Sequence, residues 1–207
     1  MNTSHIDRIF VKERDHITAS YRLGARIFAS GYRPTFIVGL WRGGSTVALA
    51  VQECLAYLGV ATDHTTIRTS YEGLPQYERS SETKEGIRVH GKSYALQTLS
   101  ADDRLLIVDD VYRSGRHTRA VVDQLRTGLR RNMPHQVRVA TLWKHTNPRH
   151  QTPTIFYTRS INGWYCRTKC AGSARTNYAP ISHFYRTCCP PRAPAPQTGS
   201  FAVNRHS

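Results

Sequence analysis

Two uninterrupted apolar runs, FIVGLW at residues 36–41 and LLIV at 105–108, constrain this 207-residue chain more than any other feature. A strand with one wet face alternates apolar and polar residues, whereas a strand covered on both faces reads as a continuous apolar run. Stretches of helical periodicity flank these runs. Within 13–30 the apolar positions Ile17, Tyr21, Leu23, Ala25, Ile27 and Phe28 recur at helical spacing, and Gly31 follows as a C-cap. A second helix is expected over 45–58, ended by Gly59, and a third over 118–131 with Val121, Val122, Leu125 and Leu129 on one side. Further strands are expected at 65–71, 87–90, 93–97 and 137–143, and the polar stretch EGLPQYERSSETKEG at 72–86 reads as a mobile loop. Strands alternating with helices predict an α/β fold, a central mostly parallel sheet flanked by helices. Ligands of such folds sit at the carboxyl ends of the strands.

The net charge of +15 suggests a nucleic-acid partner until the chain is divided. All 14 acidic residues lie between Asp7 and Asp123, with 22 of the 29 Lys and Arg in residues 1–150. Residues 151–207 hold no acid, four of the five cysteines and six of the ten prolines. The expectation is one globular domain at 1–150 and an atypical, poorly ordered basic tail at 151–207. The tail's charge is spread thinly, so nucleic acid is not the expected partner. Cys166 and Cys170 are loosely spaced and no second clean pair follows, so zinc is not expected either. No apolar run is long enough to span a bilayer and the N-terminus is polar, which implies a soluble, cytoplasmic protein.

The chemistry concentrates in LLIVDDVYRSGRHTRAVVDQL, residues 105–125. A buried parallel strand delivers Asp109 and Asp110 to the edge where ligands bind. Two carboxylates there can hold sugar hydroxyls, directly or through Mg²⁺. Ser114 and Gly115 open the next helix, whose free N–H groups and dipole favour a phosphate. Arg116 adds charge, and Ser114, His117 and Thr118 add hydroxyl or imidazole donors. An acidic pair followed by a phosphate cradle describes a sugar-phosphate site.

This segment resembles the phosphoribosyl-pyrophosphate signature of type I phosphoribosyltransferases: four apolar residues, two acidic ones, then a short Ser/Thr-Gly loop. FIVGLWRGGSTVALA resembles the strand and turn that hold pyrophosphate in that family, with Arg42, Gly43 and Gly44 following Trp41. Arg42 can pair with pyrophosphate, and the glycines permit a tight turn against it. Thr69-Ser70-Tyr71 resembles the start of the loop that closes over the reacting groups, implying a catalytic role for Tyr71. Lys144, just after a strand, resembles the lysine that hydrogen-bonds the purine 6-oxo group. Residues 13–146 are most similar to the bacterial hypoxanthine phosphoribosyltransferase branch. The resemblance implies Mg²⁺-dependent transfer of the phosphoribosyl group from 5-phosphoribosyl-1-pyrophosphate to a purine base, with a homodimer or homotetramer left open. Asp109 and Asp110 would hold ribose and metal. Arg42, Gly43 and Gly44 would take the pyrophosphate, and Ser114 to Thr118 the 5-phosphate.

Two departures bear on activity. Arg113 stands where hypoxanthine-type enzymes have an Asp that accepts the purine proton, and arginine cannot act as a base. His117 stands where they have Thr or Ser. These residues keep open a second reading, a regulatory protein that binds the donor and transfers nothing. Past Gln151 the family continues into a strand and an aromatic hood over the base, a pattern absent from TPTIFYTRSINGWYCRTKCAGSARTN. Codons exist for which this stretch, read two nucleotides on, gives PDYFLYTKYQWLVLPNEVRGQRAN and a stop. The tail therefore reads as out of frame.

Overall fold

The computed structural model describes residues 8–71, 86–145, 155–156, 160–161 and 164–167. Its elements in chain order are β1 (Arg8–Val11), α1 (Glu13–Ala29), β2 (Phe36–Trp41), α2 (Gly43–Tyr57), β3 (Asp63–Tyr71), β4 (Ile87–His90), α3 (Ser93–Thr98), β5 (Arg104–Tyr112), α4 (Arg116–Leu129), β6 (Gln136–His145), β7 (Ile155–Phe156), β8 (Ser160–Ile161) and β9 (Trp164–Arg167). The main sheet runs β4-β3-β2-β5-β6-β7, with β8 also paired to β6. It is parallel except where β4 pairs antiparallel with β3. The α/β architecture expected from the sequence is the one observed.

The apolar runs of β2 and β5 are continuous because consecutive side chains enter two different cores. Ile37, Leu106 and Val108 pack with Leu23 and Ile27 of α1 and Val47, Val51 and Leu55 of α2. Phe36, Val38, Leu40, Leu105 and Ile107 pack on the opposite face with Ala95, Val121, Leu125 and Leu129 of α3 and α4. Each fully buried Leu or Ile is worth roughly 1.5–3 kcal/mol relative to exposure, so losing either helical layer would leave the sheet unsupported.

The sheet order also locates a site. The chain leaves β2 through α2 toward β3, and leaves β5 through α4 toward β6 in the opposite direction. Right-handed crossovers in opposite directions put the two helices on opposite faces. The carboxyl ends of β2 and β5 then splay around a topological switch point, where open α/β sheets bind ligands.

One expected element is corrected. Residues 93–97 were expected as a strand and instead form α3. Ala95 and Leu99, four residues apart, both bury in the second core, and Leu99 N–H bonds to Ala95 O at 3.0 Å. Five residues of mixed polarity satisfy either period, and tertiary packing chose the helical one. Beyond residue 151, where the sequence shows no strand pattern, β7 and β8 extend the sheet and β9 pairs in parallel with β1 as a separate two-stranded sheet. The polar loop expected at 72–86 lies outside the described residues except for Gly86.

Candidate active site

β2 pairs with β5 only as far as Gly39 opposite Val108. Asp109 and Asp110 follow immediately, so on the β2 side their backbone has left the ladder and opens into the crevice. The turn after β2 enters the same space. It contains a cis peptide between Trp41 and Arg42, and Gly43 and Gly44 begin α2. A methyl group on Gly43 would overlap the Asp110 carboxylate. One on Gly44 would lie 2.6 Å from Val108 O and 2.9 Å from Asp109 Cα. The two glycines are thus the floor on which the acidic pair rests. Motifs more than sixty residues apart in sequence meet here in direct contact. Arg42 is exposed beside them.

The acidic pair is locally braced. Asp110 N–H donates to Asp109 Oδ1 and Val111 N–H to Asp110 Oδ1, both at 2.9 Å. Thr141 Oγ1 lies 3.1 Å from Asp110 O and ties β6 to the same place. Enclosure of the Asp109 carboxyl, and then the neighbouring Asp110 charge, push its pKa well above the ordinary carboxylate value. Two carboxylates held this way favour ligands that bring hydroxyl donors or positive charge.

Next along the chain, Gly115 adopts φ 71° as the N-cap of α4. A side chain there would be strained by that left-handed backbone and would also overlap the Tyr112 hydroxyl. The loop therefore wraps closely over Tyr112 before α4 presents its first N–H groups. Arg116 N–H reaches back to Ser114 Oγ at 3.4 Å. His117 Nδ1 lies 2.8 Å from Thr69 Oγ1, joining the loop to β3. Burial, and then the Arg116 charge, hold the His117 pKa below the ordinary histidine value. Thr118 is itself buried, so the surface of the cradle is made by residues 114–117.

Lys144 lies near the end of β6, opposite Tyr112 in the ladder and so two residues beyond Asp110 on the neighbouring strand. The sequence-derived residues 42–44, 109–110 and 114–118, with Lys144, therefore sit on adjacent strand ends around one switch point. Tyr71 ends β3, whose partner on one side is β4. Arg113 is exposed in the loop between β5 and α4. The packing of Gly115 over Tyr112 and the contact of Thr69 with His117 were not expected from the sequence. Only the hydrogen-bonding type of Thr69 and the position of Tyr112 before Gly115 could have hinted at them.

A description of the phosphoribosyl transferase domain matches residues 12–164. The chain belongs to that family. Among solved structures, the fold is similar to a purine phosphoribosyltransferase from Pyrococcus horikoshii Ot3, at 17% identity and TM-score 0.57, covering 83% of this chain and 100% of that one. It is also similar to the Helicobacter pylori xanthine-guanine-hypoxanthine phosphoribosyltransferase, at 15% identity and TM-score 0.58, over 79% of this chain and 92% of that one. A hypothetical protein from Neisseria gonorrhoeae with bound ppGpp aligns at 14% identity and TM-score 0.63, over 89% and 97% of the two chains. No curated protein matches at the level of sequence. Among the described residues no helix is long and apolar enough to cross a membrane.

Proposed function

We propose that this chain transfers the phosphoribosyl group of 5-phosphoribosyl-1-pyrophosphate to a purine base of the hypoxanthine-guanine type, releasing pyrophosphate. The observation that carries this reading is the contact of Gly43 and Gly44 with the Asp109-Asp110 pair at the switch point. This contact supports the reading because a donor with pyrophosphate and hydroxyls on one sugar needs a turn for the first next to carboxylates for the second. Residues 114–117 take the 5-phosphate with N–H groups at the start of α4, and the buried Thr118 supports them. Arg42 pairs with pyrophosphate, and Lys144 hydrogen-bonds the 6-oxo group of the base. Tyr71, at the end of β3, is the residue assigned a catalytic role by the family resemblance.

Mg²⁺ fits this donor set. Among the described residues no group of three or more His, Cys, Asp or Glu gathers to hold a metal. Mg²⁺ commonly takes one or two protein carboxylates and fills its remaining positions with substrate oxygens and water. Asp109 and Asp110 supply such a pair, and a cation would offset the burial and the Asp110 repulsion that together raise the Asp109 pKa. When bound, the ion would neutralise charge on the departing pyrophosphate. The protein's own part is to orient donor and base and to place donors where charge grows.

Purified protein should bind the donor in the presence of Mg²⁺ by calorimetry. With hypoxanthine, guanine or xanthine it should form the matching nucleotide, followed by chromatography. Absence of donor binding would sink the proposal. Arg113, in place of the family's acid, favours a second reading in which the chain binds donor as a regulator. Donor binding with no nucleotide formed from any of the three bases would select it.

A further inference from the structure

The phosphate loop of this chain carries a titratable group where the enzymes it resembles carry a hydroxyl. His117 is the second residue of α4, in the turn that follows the left-handed Gly115. Its Nδ1 lies 2.8 Å from Thr69 Oγ1 on β3. A threonine hydroxyl both donates and accepts, so this contact survives whether Nδ1 is bare or protonated. The Thr69 contact therefore does not oppose a change of charge on the ring.

The surroundings decide which charge it holds. Among the elements packed on α4, β3 carries Ile67 and Thr69 and ends two residues on at Tyr71, and β4 carries Ile87 and Val89. β5 carries Leu105 and Ile107 and, near its end, the carboxylates of Asp109 and Asp110. The nearby charges on its own segment are cationic: Arg116 beside it, Arg119 two residues on and Arg113 in the preceding loop. Burial and the Arg116 charge both favour neutral imidazole in the free protein. An anion delivered to the start of α4 reverses that balance, because an opposite charge within about 4–6 Å favours the ionised form.

We propose that His117 binds the 5-phosphate of the ribosyl donor as an imidazolium, its Nδ1–H accepted by Thr69, so that donor binding takes up a proton. This rests on the donor-binding reading above and adds to it a coupling to pH. No covalent step is involved: one proton moves from solvent to the His117 ring, and one charge-assisted hydrogen bond to phosphate forms. Between the free and the bound pKa of His117, donor affinity falls up to tenfold for each unit of rising pH. A hydroxyl residue at this position would have no such dependence.

The test is calorimetric titration of the full chain with 5-phosphoribosyl-1-pyrophosphate and Mg²⁺ near pH 7.5, in buffers of differing ionisation enthalpy. The slope of observed heat against buffer enthalpy counts protons taken up. Wild type should take up close to one more proton per donor than His117→Thr, which shares every other contribution, including protonation of the donor itself. Thr69→Val should weaken binding several-fold while keeping the uptake. Ring-nitrogen NMR of the wild-type donor complex supplies a readout that needs no variant and should show His117 protonated. Equal slopes in wild type and His117→Thr, or a neutral His117 in the bound complex, would overturn the inference while leaving donor binding intact. A chain that gives no binding heat in any buffer would overturn the donor-binding reading itself.

Discussion

Gly43 and Gly44 are neighbours whose replacement by alanine should fail in different ways. At Gly44 the new methyl would sit 2.6 Å from Val108 O and 2.9 Å from Asp109 Cα, both backbone atoms of β5. Comfortable contacts are about 3.5–4.0 Å, so roughly 1 Å must be made up by moving α2 away from the sheet. α2 is held there by Val47, Val51 and Leu55 in the first core, which do not slide freely. Overpacking of this kind costs roughly 1–3 kcal/mol. For a chain of this size that lowers the melting temperature by roughly 2–12 °C. At Gly43 the methyl meets the Asp110 carboxylate, a side-chain end that can rotate away. Gly43→Ala should therefore melt near wild type but displace Asp110, weakening Mg²⁺-dependent donor binding by ten- to a hundred-fold. Thermal unfolding by circular dichroism and donor titration by calorimetry separate the two effects. A Gly44→Ala protein as stable as wild type would refute the packing argument. A Gly43→Ala protein with unchanged donor affinity would refute the assignment of Asp110 to the donor site.

Replacing both Asp109 and Asp110 with Asn should abolish donor binding by calorimetry while the circular dichroism spectrum is retained. Because the folded-state pKa of Asp109 is raised, its stabilising protonated form is lost as pH climbs through that value. The ligand-free wild type should then lose melting temperature over that rise and the double variant should lose less; parallel profiles would contradict the burial argument. Arg113→Asp, which supplies the missing proton acceptor, should raise kcat at least tenfold with little change in donor affinity, since positioned general bases contribute about 10²–10⁴-fold. No gain in steady-state turnover would mean that proton removal is not what limits this chain. A version ending in PDYFLYTKYQWLVLPNEVRGQRAN should lower KM for the base by about ten- to a hundred-fold, the worth of one aromatic stacking contact; an equal KM would show the present tail to be a working hood.

Buried parallel strands announce themselves because both faces demand apolar side chains, so β2 and the first part of β5 could be read from FIVGLW and LLIV alone. The residue types of the site were legible for a similar reason. Asp109, Asp110, Ser114 and Gly115 lie within seven consecutive residues at the end of one buried strand, so their nearness to each other needed no tertiary information. The sequence could not say that α3 would be a helix, because Ala95, Leu96 and Leu99 satisfy a short strand until α4 packs against them. Nor could it pair Arg8–Val11 with Trp164–Arg167, a contact between opposite ends of the chain. Strand order was the decisive tertiary fact. Only with β2 beside β5 do Gly43 and Gly44 touch the acidic pair, and only with β3 next in line does Thr69 reach His117. Local composition determines which groups a strand end can offer. Which of them share one crevice depends on non-local pairing, whose free energy is spread over whole faces of the sheet rather than written at any single position.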